Sequence, residues 1–152
     1  MTKIFYFWLT VILQMKEREQ VFDPLRKRYV VLTPEERVRQ DFIRWLNNAR
    51  GYPLSLMASE YSIQLGKKDY RCDIVCFSSN LQPLLAVECK APYVRLEHGA
   101  AEQICRYNMV LKVRYLVVTN SIVTFAFELE PESGSYRYIS DIPSYAECRV
   151  SK

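Results

Sequence analysis

Cys72-Asp73-Ile74-Val75-Cys76-Phe77, then Ser78-Ser79-Asn80-Leu81-Gln82-Pro83, then Leu84-Leu85-Ala86-Val87-Glu88-Cys89-Lys90, is the stretch on which the fold turns. Two near-continuous apolar runs, each of strand length, flank a polar turn, which is how central strands covered on both faces read. Asp73 opens the first run, and Glu88 and Lys90 close the second. Residues two apart on a strand project from the same face, so Glu88 and Lys90 point together. The short connection makes the two strands hairpin neighbours, and Asp73, 15 residues before Glu88, comes to the same place.

Upstream of this pair, Glu60 to Leu65 alternates as a strand, with Gly66-Lys67-Lys68-Asp69 as a polar turn. Thr33-Pro34-Glu35-Glu36 predicts a helix start, with Thr33 at N-cap, Pro34 at N1 and Glu36 at N3 able to close a capping box. Val38, Phe42, Ile43, Trp45 and Leu46 supply its apolar stripe, and the run from Asn47 to Pro53 ends it. Arg26 to Leu32 reads as a short strand or extended lead-in. Downstream, a second helix is predicted from about Leu96 to Leu111, then a buried strand Tyr115 to Thr119. Ser121 to Leu129 is expected to pair with that strand through a tight Asn120-Ser121 turn. Residues 131–152 show no period and read as a tail with at most one short added element. The order is helix, three strands, helix, two strands: an α/β domain with one mixed sheet flanked by helices, an αβββαβ core, over residues 22–130.

The chain has 152 residues, 49% hydrophobic and 25% charged, which suits one globular domain. Four scattered glycines exclude both the Walker phosphate loop and the dinucleotide-binding glycine motif. Five cysteines, several within apolar runs, fit a reducing cytoplasm. Cys72 and Cys76 are half of a zinc site with no other half, the one histidine being His98, expected to be exposed or a helix cap. The net charge of +4 permits contact with nucleic acid without requiring it. Residues 4–13 form an apolar stretch too short to span a bilayer and without a cleavage-site pattern behind it; residues 1–21 read as an extension outside the fold. No membrane association is expected.

Two carboxylates and an ammonium beside a buried sheet are costly unless they pair with one another or hold a cation. Mg²⁺ takes oxygen ligands, typically one or two carboxylates with phosphate and water, and such an ion suits phosphodiester hydrolysis. Asp73 and Glu88 are the candidate pair. The tripeptide acidic-x-Lys alone carries no weight, since chance places about one in a chain of this composition. Its context does the arguing: a buried strand ends in it, and a neighbouring strand opens with an acid. Without more, Asp73 and Glu88 equally read as strand-end carboxylates with Lys90 as their ion-pair partner.

Arg71-Cys72-Asp73-Ile74-Val75, Val87-Glu88-Cys89-Lys90-Ala91-Pro92, Gln103-Ile104-Cys105-Arg106-Tyr107-Asn108 and Tyr115-Leu116-Val117-Val118-Thr119-Asn120 occur in that order. Together with Leu32 to Gln40 they make the chain resemble the N-terminal nuclease domain of type I restriction enzyme R subunits, a member of the PD-(D/E)XK superfamily, over residues 22–130. The resemblance implies a restriction-endonuclease-like fold and a Mg²⁺-dependent DNA endonuclease, with Mn²⁺ able to substitute. Asp73 and Glu88 would bind the metal, and Lys90 would position or activate the attacking water. Gln103 would support the metal site and Tyr107 would face DNA, against plain readings of a solvated glutamine and a core tyrosine. Glu36 is either an added acid directed at the site or only a capping-box residue. Arg39, Lys67, Lys68, Arg95, Arg106 and Arg114 are candidate phosphate contacts or ordinary surface cations. The family's full subunits continue into a helicase motor, so a helicase or specificity subunit is an expected partner besides DNA, and a homodimer would let each copy cut one strand. The reading from another class is a non-catalytic nucleic-acid-binding or assembly module with the same fold.

Overall fold

The computed structural model describes Tyr6, Leu9, residues 18–99, Ala101 and residues 112–150. The chain opens with a hairpin of β1 (Gln20–Asp23) and β2 (Arg28–Val31), whose register runs from Gln20↔Val31 to Asp23↔Arg28. The buried Asp23 shapes its turn: Oδ1 accepts from the backbone N–H of Leu25 (2.8 Å) and of Arg26 (3.1 Å), the local bond that lets Asp replace a backbone partner in turns. The sequence predicted only the second of these strands.

Helix α1 (Pro34–Arg50) begins where predicted, with Thr33 Oγ1 accepting from Glu36 N at 3.1 Å and Pro34 in the first turn. The capping box does not close, however. Thr33 N–H donates to Val31 O, and the Glu36 carboxylate turns elsewhere. Gly51 ends the helix at φ +72, the left-handed conformation that costs glycine least. A 3-10 turn (Leu54–Leu56) leads into β3 (Met57–Leu65), which a two-residue turn at Gly66 (φ +63) joins to β4 (Lys68–Phe77). β4 is thus longer than predicted, taking in Lys68 and Asp69. β5 (Pro83–Cys89), β6 (Tyr115–Thr119), β7 (Thr124–Leu129), β8 (Tyr136–Ile139) and α2 (Tyr145–Val150) follow. The helix predicted over 96–111 falls mostly outside the described residues.

One sheet runs in the order β3-β4-β5-β6-β7-β8, every neighbour antiparallel except β5 and β6, which are parallel. A parallel pair needs a long crossover, and the chain between Cys89 and Tyr115 supplies it. Alternation splits the core into two layers. Leu85, Val87 and Cys89 join Val38, Ile43 and Leu46 of α1 on one face, while Ala86, Leu116 and Val118 pack with Leu96 and Ala101 on the other. The mixed α/β architecture expected from the sequence is present. In the stretch 131–152, β8 extends the sheet, and α2 is capped by a reciprocal pair: Ser144 N–H donates to Glu147 Oε2 (2.6 Å) and Glu147 N–H to Ser144 Oγ (3.3 Å).

Alternation slips at Asp73. Ile74 and Cys76 face α1, yet Cys72 packs with Val75 in the opposite layer. The β3–β4 ladder skips the pair Glu60/Asp73, and Glu60 carries φ +52. Cys72 and Cys76 therefore lie on different faces and cannot share one ion, which disposes of the half-zinc reading.

Candidate active site

The β4–β5 ladder runs as far as Ile74↔Val87, and Asp73 and Glu88 are the next residues on the two strands. Asp73 Oδ2 accepts the backbone N–H of Cys89 at 2.7 Å, fastening that carboxylate to the strand that carries Glu88. Lys90 Nζ lies 3.4 Å from Glu88 Oε1, and Lys90 N–H donates to Thr119 O across the parallel pair. The side chains of Asp73, Glu88 and Lys90 are 14%, 22% and 33% exposed, so the cluster is half-buried but open on one side. The geometry brings together the three residues singled out from the sequence.

Its electrostatics are uneven. Burial, reinforced by the charge of Asp73 and opposed by Lys90, pushes the Glu88 carboxyl up to about 7. Two carboxylates this close repel unless a proton or a cation lies between them. Both offer hard oxygen donors, and two carboxylates with phosphate and water are the usual shell of Mg²⁺. The donor set therefore fits that ion, whereas among the described residues no group of three or more His, Cys, Asp or Glu is arranged to hold a metal on its own.

Behind Asp73 runs a buried chain of charges. Arg39 Nη2 donates to Asp73 Oδ1 (2.7 Å), and Nη1 to Glu36 Oε2 (2.7 Å) and Glu60 Oε1 (3.4 Å). Glu36 also accepts from Gln40 (3.0 Å) and from Arg26, which in turn binds Asp23 in the hairpin turn. Burial alone would lower the Arg39 pKa; Asp73 and Glu36 more than offset it and hold it above its usual value. Arg71, 63% exposed, covers Glu60 from outside at 2.6 Å.

This network corrects one expectation and narrows another. Arg39 is no phosphate contact: it is 5% exposed and two of its nitrogens are committed to carboxylates. Glu36 is neither a closed capping box nor a site acid in its own right; it reaches Asp73 through Arg39. Lys67 sits in the β3–β4 turn, and Lys68 Nζ lies 5.5 Å from the Tyr70 ring centroid. Both are five or more residues along the strand from Asp73, roughly 17 Å at strand spacing. Arg95 pairs with Glu97 (3.0 Å) and Arg114 with Glu128 (3.4 Å). Gln103, Arg106 and Tyr107 lie outside the described residues.

Glu35, Glu60 and Arg71 were not singled out. Glu35 is 3.9 Å from Arg39 and adds to the negative field at Glu88; its spacing of four residues from Arg39 is the signal that was there to read. Glu60 carried none, because its role depends on a left-handed backbone. A groove of about 540 Å³ between Phe42 and Trp45 of α1 and the β6–β7 turn is lined by none of the three central residues. The candidate chemistry lies at the sheet surface, not in that groove.

A mixed sheet with an antiparallel β3-β4-β5 unit, a parallel step to β6, an acidic pair on its second and third strands and a lysine just past the third has the restriction-endonuclease-like architecture. The chain belongs to the type I restriction enzyme R protein N-terminus family (HSDR_N), whose model matches residues 34–143. It is similar in fold to a fragment assigned as an HsdR subunit of a type I restriction enzyme from Vibrio vulnificus YJ016, with TM-score 0.52 and 17% identity over 78% of this chain. It spans 25% of that fragment's chain. No curated protein matches it. Among the described residues no helix is long and apolar enough to cross a membrane.

Proposed function

We propose that this domain is a Mg²⁺-dependent DNA endonuclease, of the PD-(D/E)XK kind, that hydrolyses phosphodiester bonds. The observation that carries the reading is the convergence of Asp73, Glu88 and Lys90 at the β4–β5 pair, where burial and the charge of Asp73 hold the Glu88 carboxyl above its ordinary range. Asp73 and Glu88 would hold the ion. When bound, Mg²⁺ would supply positive charge to the crowded phosphate and make a water more acidic. Lys90 Nζ, 3.4 Å from Glu88 Oε1, would hold the attacking water by a hydrogen bond and oppose charge building on a phosphoryl oxygen. Asp73, fixed at both oxygens, needs no reorganisation to meet the ion.

The proposed substrate is DNA, and the proposed setting is a cytoplasmic complex in which a helicase or specificity subunit supplies what this domain does not. Supercoiled plasmid incubated with the protein and Mg²⁺ or Mn²⁺ should be nicked, and Glu88→Ala or Lys90→Ala should abolish nicking while circular dichroism stays unchanged. Undiminished nicking by both variants would retire the assignment.

A second reading rests on the Lys90–Glu88 ion pair, which satisfies Glu88 without a metal. It makes the domain a non-catalytic nucleic-acid-binding or assembly module. Salt-sensitive DNA binding indifferent to chelator, with no cleavage in any metal, favours it.

A further inference from the structure

We propose that Arg39 is a positioning residue for the metal site: its guanidinium fixes the direction in which Asp73 presents its carboxylate to a divalent cation shared with Glu88. The inference rests on the nuclease reading above and deepens it.

The sheet does not orient Asp73 by itself. Strand alternation slips at this residue, its expected ladder partner Glu60 stands at φ +52, and the pairing skips both. What holds the carboxylate is a pair of hydrogen bonds at its two oxygens, one from Cys89 N–H on β5 and one from Arg39 Nη2 on α1, each 2.7 Å. A carboxylate tethered at both oxygens cannot turn about its Cβ–Cγ bond, and each oxygen keeps a second lone pair for a cation. With Arg39 gone a single tether remains, and the group is free to swing.

Arg39 is itself immobilised. Nη1 is bound to Glu36 at 2.7 Å, and Glu36 is fixed by Gln40 and by Arg26. Stability alone is a poor reason for this arrangement. Buried ion networks rarely outperform apolar packing, and Arg39 Nε is buried with no hydrogen-bond partner among the described residues, a cost borne in place. Groups behind a metal ligand that fix its orientation, by contrast, change metal affinity about 10- to 100-fold when removed.

The probe is Mn²⁺ itself, titrated calorimetrically into the full chain at neutral pH, with the folded fraction measured in parallel by near-ultraviolet circular dichroism. Arg39→Met should weaken Mn²⁺ binding by the folded protein about tenfold or more, and Arg39→Lys should recover part of the loss. Arg37→Met, on the opposite side of α1 where Arg37 pairs with Glu19 at the surface, should leave it unchanged. Should Arg39→Met not fold, Glu36→Gln decides the matter, with a smaller loss in the same direction. In the unmutated protein, Mn²⁺ should broaden the Arg39 guanidinium ¹⁵N–¹H resonances. Variants that lose thermal stability yet bind Mn²⁺ as tightly as the wild type overturn the positioning role alone. A wild type that takes up no Mn²⁺ overturns the nuclease reading and this inference together.

Discussion

Glu88→Gln should stabilise the metal-free protein at alkaline pH while abolishing its capacity to hold a cation. In the folded chain Glu88 titrates at about 7 instead of its ordinary 4.5, because burial and Asp73 both disfavour its charge. The folded state therefore keeps a proton that the unfolded state has released, and stability falls as pH rises from 4.5 through 7. At about 1.4 kcal/mol per pKa unit, the full penalty above pH 8 is about 3 kcal/mol. A neutral amide escapes it. The attraction of Lys90 already opposes the shift, so this figure is net of the lost pairing. A chain of this length converts it into a Tm gain of roughly 6 to 12 °C. Thermal unfolding followed by circular dichroism in EDTA at pH 8 and pH 5 reads it out. The gain at pH 8 should shrink to below about 1 kcal/mol at pH 5, where Glu88 is protonated in the folded wild type. Equal Tm values at pH 8, or a gain that does not depend on pH, would show that Asp73 and Glu88 do not share one crowded field.

The same unfolding measurement with EDTA left out tests the complementary case: Mg²⁺ at about 100 times its dissociation constant should stabilise the wild type by about 2.7 kcal/mol and leave Glu88→Gln nearly unmoved, and an equal rise in both would place the ion elsewhere. Thr33→Ala removes the oxygen that caps Glu36 N and should cost about 1 kcal/mol in urea unfolding, with no change in slope. Gly51→Ala meets no atom within 4 Å, so its cost is purely that of a side chain at φ +72, about 1 to 2 kcal/mol; a neutral outcome would mean that the helix end rearranges.

Much of the fold was legible because its signals are local. A proline at N1 behind a threonine, a glycine at the helix end, and apolar runs of strand length need no partner to be read, and α1, β5 and β6 fall where such signals put them. The first hairpin and the last two elements were less visible. β1 is a four-residue strand without alternation, and α2 is a single short turn whose Ser144–Glu147 capping pair was present in the sequence but had no apolar period behind it.

The sequence by itself determined which groups could do chemistry, since Glu88 and Lys90 share a strand face by the pleat alone and Asp73 is one short hairpin away. Only the tertiary structure decided what surrounds them. The slip of alternation at Asp73, the left-handed Glu60 and the burial of Arg39 against two carboxylates occur where α1, the first hairpin, β3 and β4 meet, with contacts at separations of 10 to 34 residues. Such contacts are set by how elements dock, and no periodicity along one element records them. That is why an arginine that looks like any surface cation in the chain becomes, once folded, the group that holds Asp73 in place.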